Sequence, residues 1–238
     1  MNLPVYEAVK QIEYCSSFEK IDDIFDSEKG FNYFARFSRG ATKVFFDESE
    51  FMKICEENSF YEFFNYILCS SASNIQLSIV KDYAYFEDIL HLHETTSHNE
   101  RKVFFLLNIL KLINRFIASI KFRKILIEKN GLKTHLNLIK VLNEERELFN
   151  KRYFGVVILN VNWLSKLADE HKNIWTDLKA IDILTNYMKN FEFYKIYLIM
   201  ILSNIADDKD LESLPEFDLA IEIFTKMSIE CIRQPSKF

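Results

Sequence analysis

Leu164–Asp169 reads LSKLAD and Leu202–Asp207 reads LSNIAD, the same apolar, small and acidic order at a spacing of 38. A second element recurs at nearly the same period, since Ala180–Met188 reads AIDILTNYM and Ala220–Met227 reads AIEIFTKM, at a spacing of 40. Two different elements repeating at one period are the mark of a stacked helical array. A more degenerate copy lies upstream. RFIAS sets Ala118 opposite Ala168, and NGLKTHLNLIKVL sets Gly131 and Leu132 opposite Ala180 and Ile181, at spacings of 50 and 49. Both elements shift together, so the extra length is expected between them, and the charged stretch NEERELFNKR (143–152) is its place, as a longer helix or loop.

The spacing of apolar residues predicts helices throughout. Leu106, Leu110, Ile113 and Ile117, and again Ile196, Ile199, Met200 and Ser203, follow a helical period, and sustained period-two alternation is hard to find. Three prolines and four glycines in 238 residues are too few breakers for a β-rich or loop-rich chain. The expected class is all-α.

At LIMILSNIA (198–206) and, more loosely, NVNWLSKLA (160–168), the chain resembles the armadillo family, whose three-helix repeat ends in a third helix of the type A-L-W-A-L-S-N-I-A. The resemblance covers roughly residues 104–230. It implies an α-solenoid of armadillo-like repeats over 101–238, with 1–100 as a divergent helical N-terminal region and an atypical cap at 1–50. EENSFYEFFNYIL (56–68) aligns with EKNGLKTHLNLIK (128–140), Ser59 opposite Gly131, which hints at an earlier copy. The resemblance also implies a non-catalytic protein-binding or scaffold module. Third-helix positions then line a concave face at Leu112, Phe116, Asn162, Lys166, Met200 and Asn204. The family's tryptophan position holds Leu112, Asn162 and Met200, and its asparagine persists only as Asn204.

Bulk properties narrow the class. A net charge of −5 disfavours a general nucleic-acid binder, which needs a basic surface. Cys15, Cys55, Cys69 and Cys231 are scattered with no C-x-x-C pair, which suits reduced thiols in a cytoplasmic protein. The N-terminus lacks the apolar core of a secretory signal, and no apolar run reaches the roughly 20 residues of a membrane span. The sequence stops soon after a recognisable repeat, as a piece of a longer protein would.

The residues offer little chemistry. His91, His93 and His98 lie near Glu94 and Glu100, but His91 and His93 diverge on a helix, so a solvated loop is expected and no metal. No glycine-rich phosphate loop, G-x-S-x-G elbow or Cys–His pairing is present, so no cofactor and no enzymatic activity are expected. Charge is polarised. Residues 111–140 carry a net +7, with Lys111, Arg115, Lys121, Arg123 and Lys124 as a candidate stripe for an anionic ligand, whereas 201–231 carry −6. Such a ligand would be an acidic peptide or a phosphorylated metabolite. A solvated face explains the stripe equally well. The alternative function is a regulatory domain that senses a phosphorylated small molecule or restrains an effector domain such as a Toll/interleukin-1 receptor-type domain. This needs those bases to converge in a pocket. RNA binding by a helical array is the third and weakest reading.

Overall fold

A computed structural model describes residues 5–42, 48–73, 97–144, 151–190 and 194–207. These are helical throughout, with no strand among the described residues. In chain order the α-helices are α1 (Val5–Ser16), α2 (Ile21–Asp26), α3 (Glu28–Thr42), α4 (Glu48–Glu57), α5 (Phe60–Ala72) and α6 (His98–Phe116). They continue as α7 (Ile120–Glu128), α8 (Gly131–Glu144), α9 (Lys151–Ser165), α10 (Lys172–Asp177), α11 (Ala180–Asn190) and α12 (Lys195–Ile205). None of the described helices is long and apolar enough to cross a membrane. The chain forms two compact units, 1–164 and 165–238. A division at 100/101 falls inside α6, which runs on unbroken across that point.

A local pattern recurs three times among the described residues. A short helix ends, one residue takes the left-handed backbone conformation, and a second helix begins at once. Ser59 (φ 57°) joins α4 to α5, Asn130 (φ 66°) joins α7 to α8, and Lys179 (φ 52°) joins α10 to α11. Asn130 and Lys179 keep the offset that the sequence sets between Gly131 and Ala180. Ser59, however, stands opposite Asn130, one position off the Gly131 register read from sequence. The second copies of the repeated elements at 220–227 lie outside the described residues, as do 145–150 of the expected insertion.

In the first unit α6 is central. Ser97 opens it with a reciprocal cap: the Ser97 hydroxyl accepts from the Glu100 N–H at 3.3 Å, and the Glu100 carboxylate accepts from the Ser97 N–H at 2.7 Å. α6 then packs against α3 and α5. Between α3 and α6, Phe34 stacks on Phe105 at 4.1 Å between ring centroids, and Phe31 lies 5.5 Å from both Phe104 and Phe105. Tyr61 stacks on Phe122 at 4.6 Å, joining α5 to α7. Each such buried ring contributes roughly 1.5–3 kcal/mol by leaving water.

α5 packs against α8. Asn65 donates to the Lys129 carbonyl at 2.8 Å, and one turn further on Thr134 donates to the Cys69 sulfur at 3.3 Å. Asn65 thereby satisfies a carbonyl that the end of α7 leaves open. Gly131 makes this approach possible. A Cβ there would stand 2.5 Å from Asn65 Oδ1 and 2.8 Å from the Leu126 carbonyl oxygen.

A wholly buried polar chain ties α6, α8 and α9 together. His135 Nδ1–H donates to the Gly131 carbonyl at 2.8 Å, which fixes the tautomer, and Asn160 Nδ2–H donates both to His135 Nε2 at 3.2 Å and to the Leu110 carbonyl at 3.3 Å. Turning the amide over would set its oxygen against the Leu110 carbonyl, so the observed orientation is the one the neighbours require.

The second unit is built on α11 and α12, which pack on each other, with α10 laid against α11; Leu184, Tyr187 and Met188 of α11 and Leu198, Ile201 and Leu202 of α12 are buried. Trp175 fills the space α10 covers, and Ala180 is buried at the start of α11.

Candidate functional site

α12 separates its faces cleanly. Leu198, Ile199, Ile201, Leu202 and Ile205 are buried, and on the other side Tyr197, Met200 and Asn204 form a row at helical spacing, with Ser203 exposed beside it. Tyr197 is 39% exposed, Met200 half-buried and Asn204 exposed. Asn204 is positioned by its amide, which donates to the Ser165 hydroxyl at 3.0 Å, and Lys166, next in the chain, is exposed. Met200, Asn204 and Lys166, expected from the repeat to face a partner, are therefore accessible in the second unit. Tyr197 is an addition to that set. Its place at helical spacing before Met200 and Asn204 is the signal in the sequence that points to it.

The three expected residues of the first unit behave differently. Leu112 and Phe116 are 0% and 1% exposed, and Phe116 lies parallel to Phe64 of α5 at 6.5 Å. Asn162 is buried as well. Flanked by α3 and α5, α6 turns Lys111 outward and Leu112 inward, a shift of one position from the face assigned by analogy. Leu112 and Phe116 are core residues, so contact with a partner is closed to them.

The members of the basic stripe differ in exposure and in partners. Lys111 and Lys121 are exposed, and Arg115 and Lys124 half-buried. The Lys121 ammonium donates to the Glu56 carbonyl at 3.3 Å, whereas Arg123, only 7% exposed, donates to the Trp163 carbonyl at 3.3 Å with its guanidinium 5.5 Å from the Trp163 ring centre. Arg123 satisfies a carbonyl in the last turn of α9, where a cation is favoured by the helix dipole. It holds the fold together, and the stripe read from sequence is correspondingly one member shorter.

Of the histidine cluster, His91 and His93 lie outside the described residues. His98 opens α6 and faces α2, with Nδ1 3.0 Å from Asp26 and Nε2 3.4 Å from Asp22. Arg101 adds a 3.0 Å pair to Asp26, and Lys102 a 3.7 Å pair to Asp22. Burial is the largest single influence on Asp26 and opposes its ionisation, but the hydrogen bond and charge of His98, joined by those of Arg101, together outweigh it and hold the carboxyl below its usual range. The carboxylates meet cations here, and the ensemble clips α2 to α6. No group of three or more metal-ligating side chains occurs among the described residues.

The second unit also contains a groove of about 380 Å3 where α10, the start of α11 and the end of α12 come together. Lys172, Thr176, Lys179, Asp182 and Asp207 give it polar edges, and Trp175, Ala180, Ile181 and Ile205 give it apolar walls. Nothing in the sequence announces it, because its residues come from three separate segments and are joined by the left-handed turn at Lys179.

No family model, curated protein or solved structure matches this chain.

Proposed function

We propose that the chain is a non-catalytic binding module of armadillo-like type, which presents α12 to a protein partner. The observation that carries this reading is the face of α12: a helix whose apolar side is fully covered and whose other side holds Tyr197, Met200 and Asn204 in one accessible row. A tyrosine and a methionine supply adaptable apolar contact, and an asparagine supplies both donor and acceptor, the mixture that protein interfaces favour. The recurring short helix, left-handed residue and following helix support a repeat architecture, in which each repeat buries its apolar stripe against the next. Cys15, Cys55 and Cys69 are free thiols, in keeping with a reducing compartment such as the cytoplasm.

The test is affinity capture with the full chain, wild type against Tyr197→Ala combined with Met200→Glu. Both positions point away from the core of α12, so the variant keeps its helical circular dichroism. Partners captured by the wild type and lost from the variant bear the reading out. Capture that ignores the double substitution, or no specific capture by either protein, refutes it.

A further inference from the structure

In the first unit, Lys29 rests on aromatic rings. Its ammonium nitrogen lies 4.6 Å from the ring centre of Tyr14 and 5.4 Å from that of Tyr33, both within the roughly 6 Å at which a ring face attracts a cation. Among the described residues Lys29 joins no ion pair, although Glu28 precedes it in the chain and is exposed. Lys29 and Tyr33 stand one turn apart on α3 and so share a face. α1 packs against α3 and brings Tyr14 to the same place, with the Cys15 thiol 3.7 Å from the Gly30 carbonyl at that level.

The rings are set at steep angles. Tyr14 is 5.1 Å from Tyr33 at an interplanar angle of 70°, and it is braced by Phe18 at 5.4 Å and 82°. Tyr14, Phe18 and Tyr33 are half-buried, so the fold holds them while solvent still reaches them, and Lys29 itself is exposed. Two steeply inclined π faces around one nitrogen are the geometry by which aromatic cages take ammonium guests. A primary ammonium is a poor guest for such a place. It is a compact, strongly hydrated charge with three N–H groups to satisfy, and ring faces satisfy them less well than water does. A quaternary ammonium has no N–H and spreads its charge over methyl groups, so the same two faces suit it better.

We propose that Tyr14 and Tyr33 form a binding site for a quaternary ammonium group, which enters by displacing Lys29. The chemistry is the same for a trimethylated lysine side chain of a partner polypeptide and for a small free quaternary amine. Lys29 is the chain's own occupant. Being tethered, it competes at a high effective concentration, so its removal strengthens binding of the guest. The site is separate from the α12 face and does not depend on the reading of that face.

The experiment titrates the full chain into choline and, separately, into neohexyl alcohol, the neutral molecule of the same shape, and follows their methyl resonances by proton NMR. The choline N-methyl signal is expected to move upfield under the ring currents and to receive saturation from the protein, and the alcohol signal to do neither. Lys29→Ala, an exposed change that a helix accepts, should bind choline about fivefold tighter. Tyr33→Leu should lose the binding, and Tyr33→Phe, which keeps the ring face, should retain it. A peptide with one trimethyl-lysine, compared with the same peptide unmodified, identifies the source: binding tighter than choline marks a modified partner, and weaker binding marks a free amine. Equal binding of choline and the alcohol overturns the proposal, because the site would then be an apolar patch. So does an unchanged choline affinity in Lys29→Ala protein, or the absence of binding by every probe to both wild type and Lys29→Ala. The Lys29→Ala arm keeps the test decisive even if Tyr33→Leu protein does not fold.

Discussion

Gly131 and Asn65 show how far one atom matters. Gly131→Ala places a methyl 2.5 Å from the Asn65 amide oxygen and 2.8 Å from a backbone carbonyl that cannot swing aside. Overpacking of this kind costs about 1–3 kcal/mol, and urea unfolding should show a loss in that range. Repeating it in an Asn65→Ala background should give a smaller loss, because one of the two obstructions is gone, and strict additivity of the two substitutions would contradict the geometry. His135 provides the pH test. Burial pushes its pKa from 6.5 down to about 4, against a smaller opposing pull from the Gly131 carbonyl. The unfolded ring therefore takes up a proton below about pH 6.5 that the folded ring refuses until about pH 4, so stability falls as the pH falls through that window and is flat with respect to this group above it. The full drop is about 3 kcal/mol. Unfolding of wild type and His135→Gln at pH 7 and pH 4.5 isolates it, since only the wild type should carry this part of the pH dependence.

Among the helices, the cap of α6 is the simplest to test. Ser97→Ala removes the acceptor for the Glu100 N–H and should lower stability by about 1 kcal/mol in thermal or urea unfolding, with Ser97→Asp recovering most of it. The Ser97-x-x-Glu100 signature is present in the sequence, but the histidines and hydroxyl residues around it give the stretch the look of a loop. The helices themselves are legible: the periodic residues at 106–117 and 196–203 and the repeated element at 180–188 mark α6, α12 and α11, although α6 begins eight residues earlier, at His98. Which side of α6 faces inward is not. Periodicity shows that Leu112 and Phe116 share a stripe, and only the neighbours α3 and α5 decide that this stripe is covered. The same limit hides the job of Arg123, which looks like one more base in a cationic run until α9 ends beside it. Left-handed turns differ in the same way. Asn130 before Gly131 is a residue that commonly takes a positive φ, whereas Ser59 and Lys179 give no such sign.

For each compact unit as a whole, stability resides in different side chains. The first unit depends on the aromatic layer between α3 and α6, and Phe105→Ala, which removes partners of Phe31, Phe34 and Phe104, should destabilise it by about 3–5 kcal/mol. Trp163 lies in this unit and Trp175 in the other, so emission in a Trp175→Phe background follows the first unit's transition, and an unchanged midpoint there would contradict the packing described. The 49-residue offset between Gly131 and Ala180 is matched by the turns at Asn130 and Lys179, because both belong to chain order. The groove is invisible in the sequence for the opposite reason: Lys172, Lys179, Ile205 and Asp207 come together only once α10, α11 and α12 have docked.

The three left-handed residues also bear on the order in which the chain folds. Ser59 and Lys179 adopt a conformation that their own side chains disfavour, so neither turn has reason to form before the helices on both sides are held by packing. Asn130 meets less resistance and can close its turn early. In rate measurements, glycine at 59 or 179 should therefore slow unfolding far more than it speeds folding, as for turns that close after the main barrier, whereas changes at 130 should register chiefly in the folding rate, placing the α7–α8 junction nearer the nucleus.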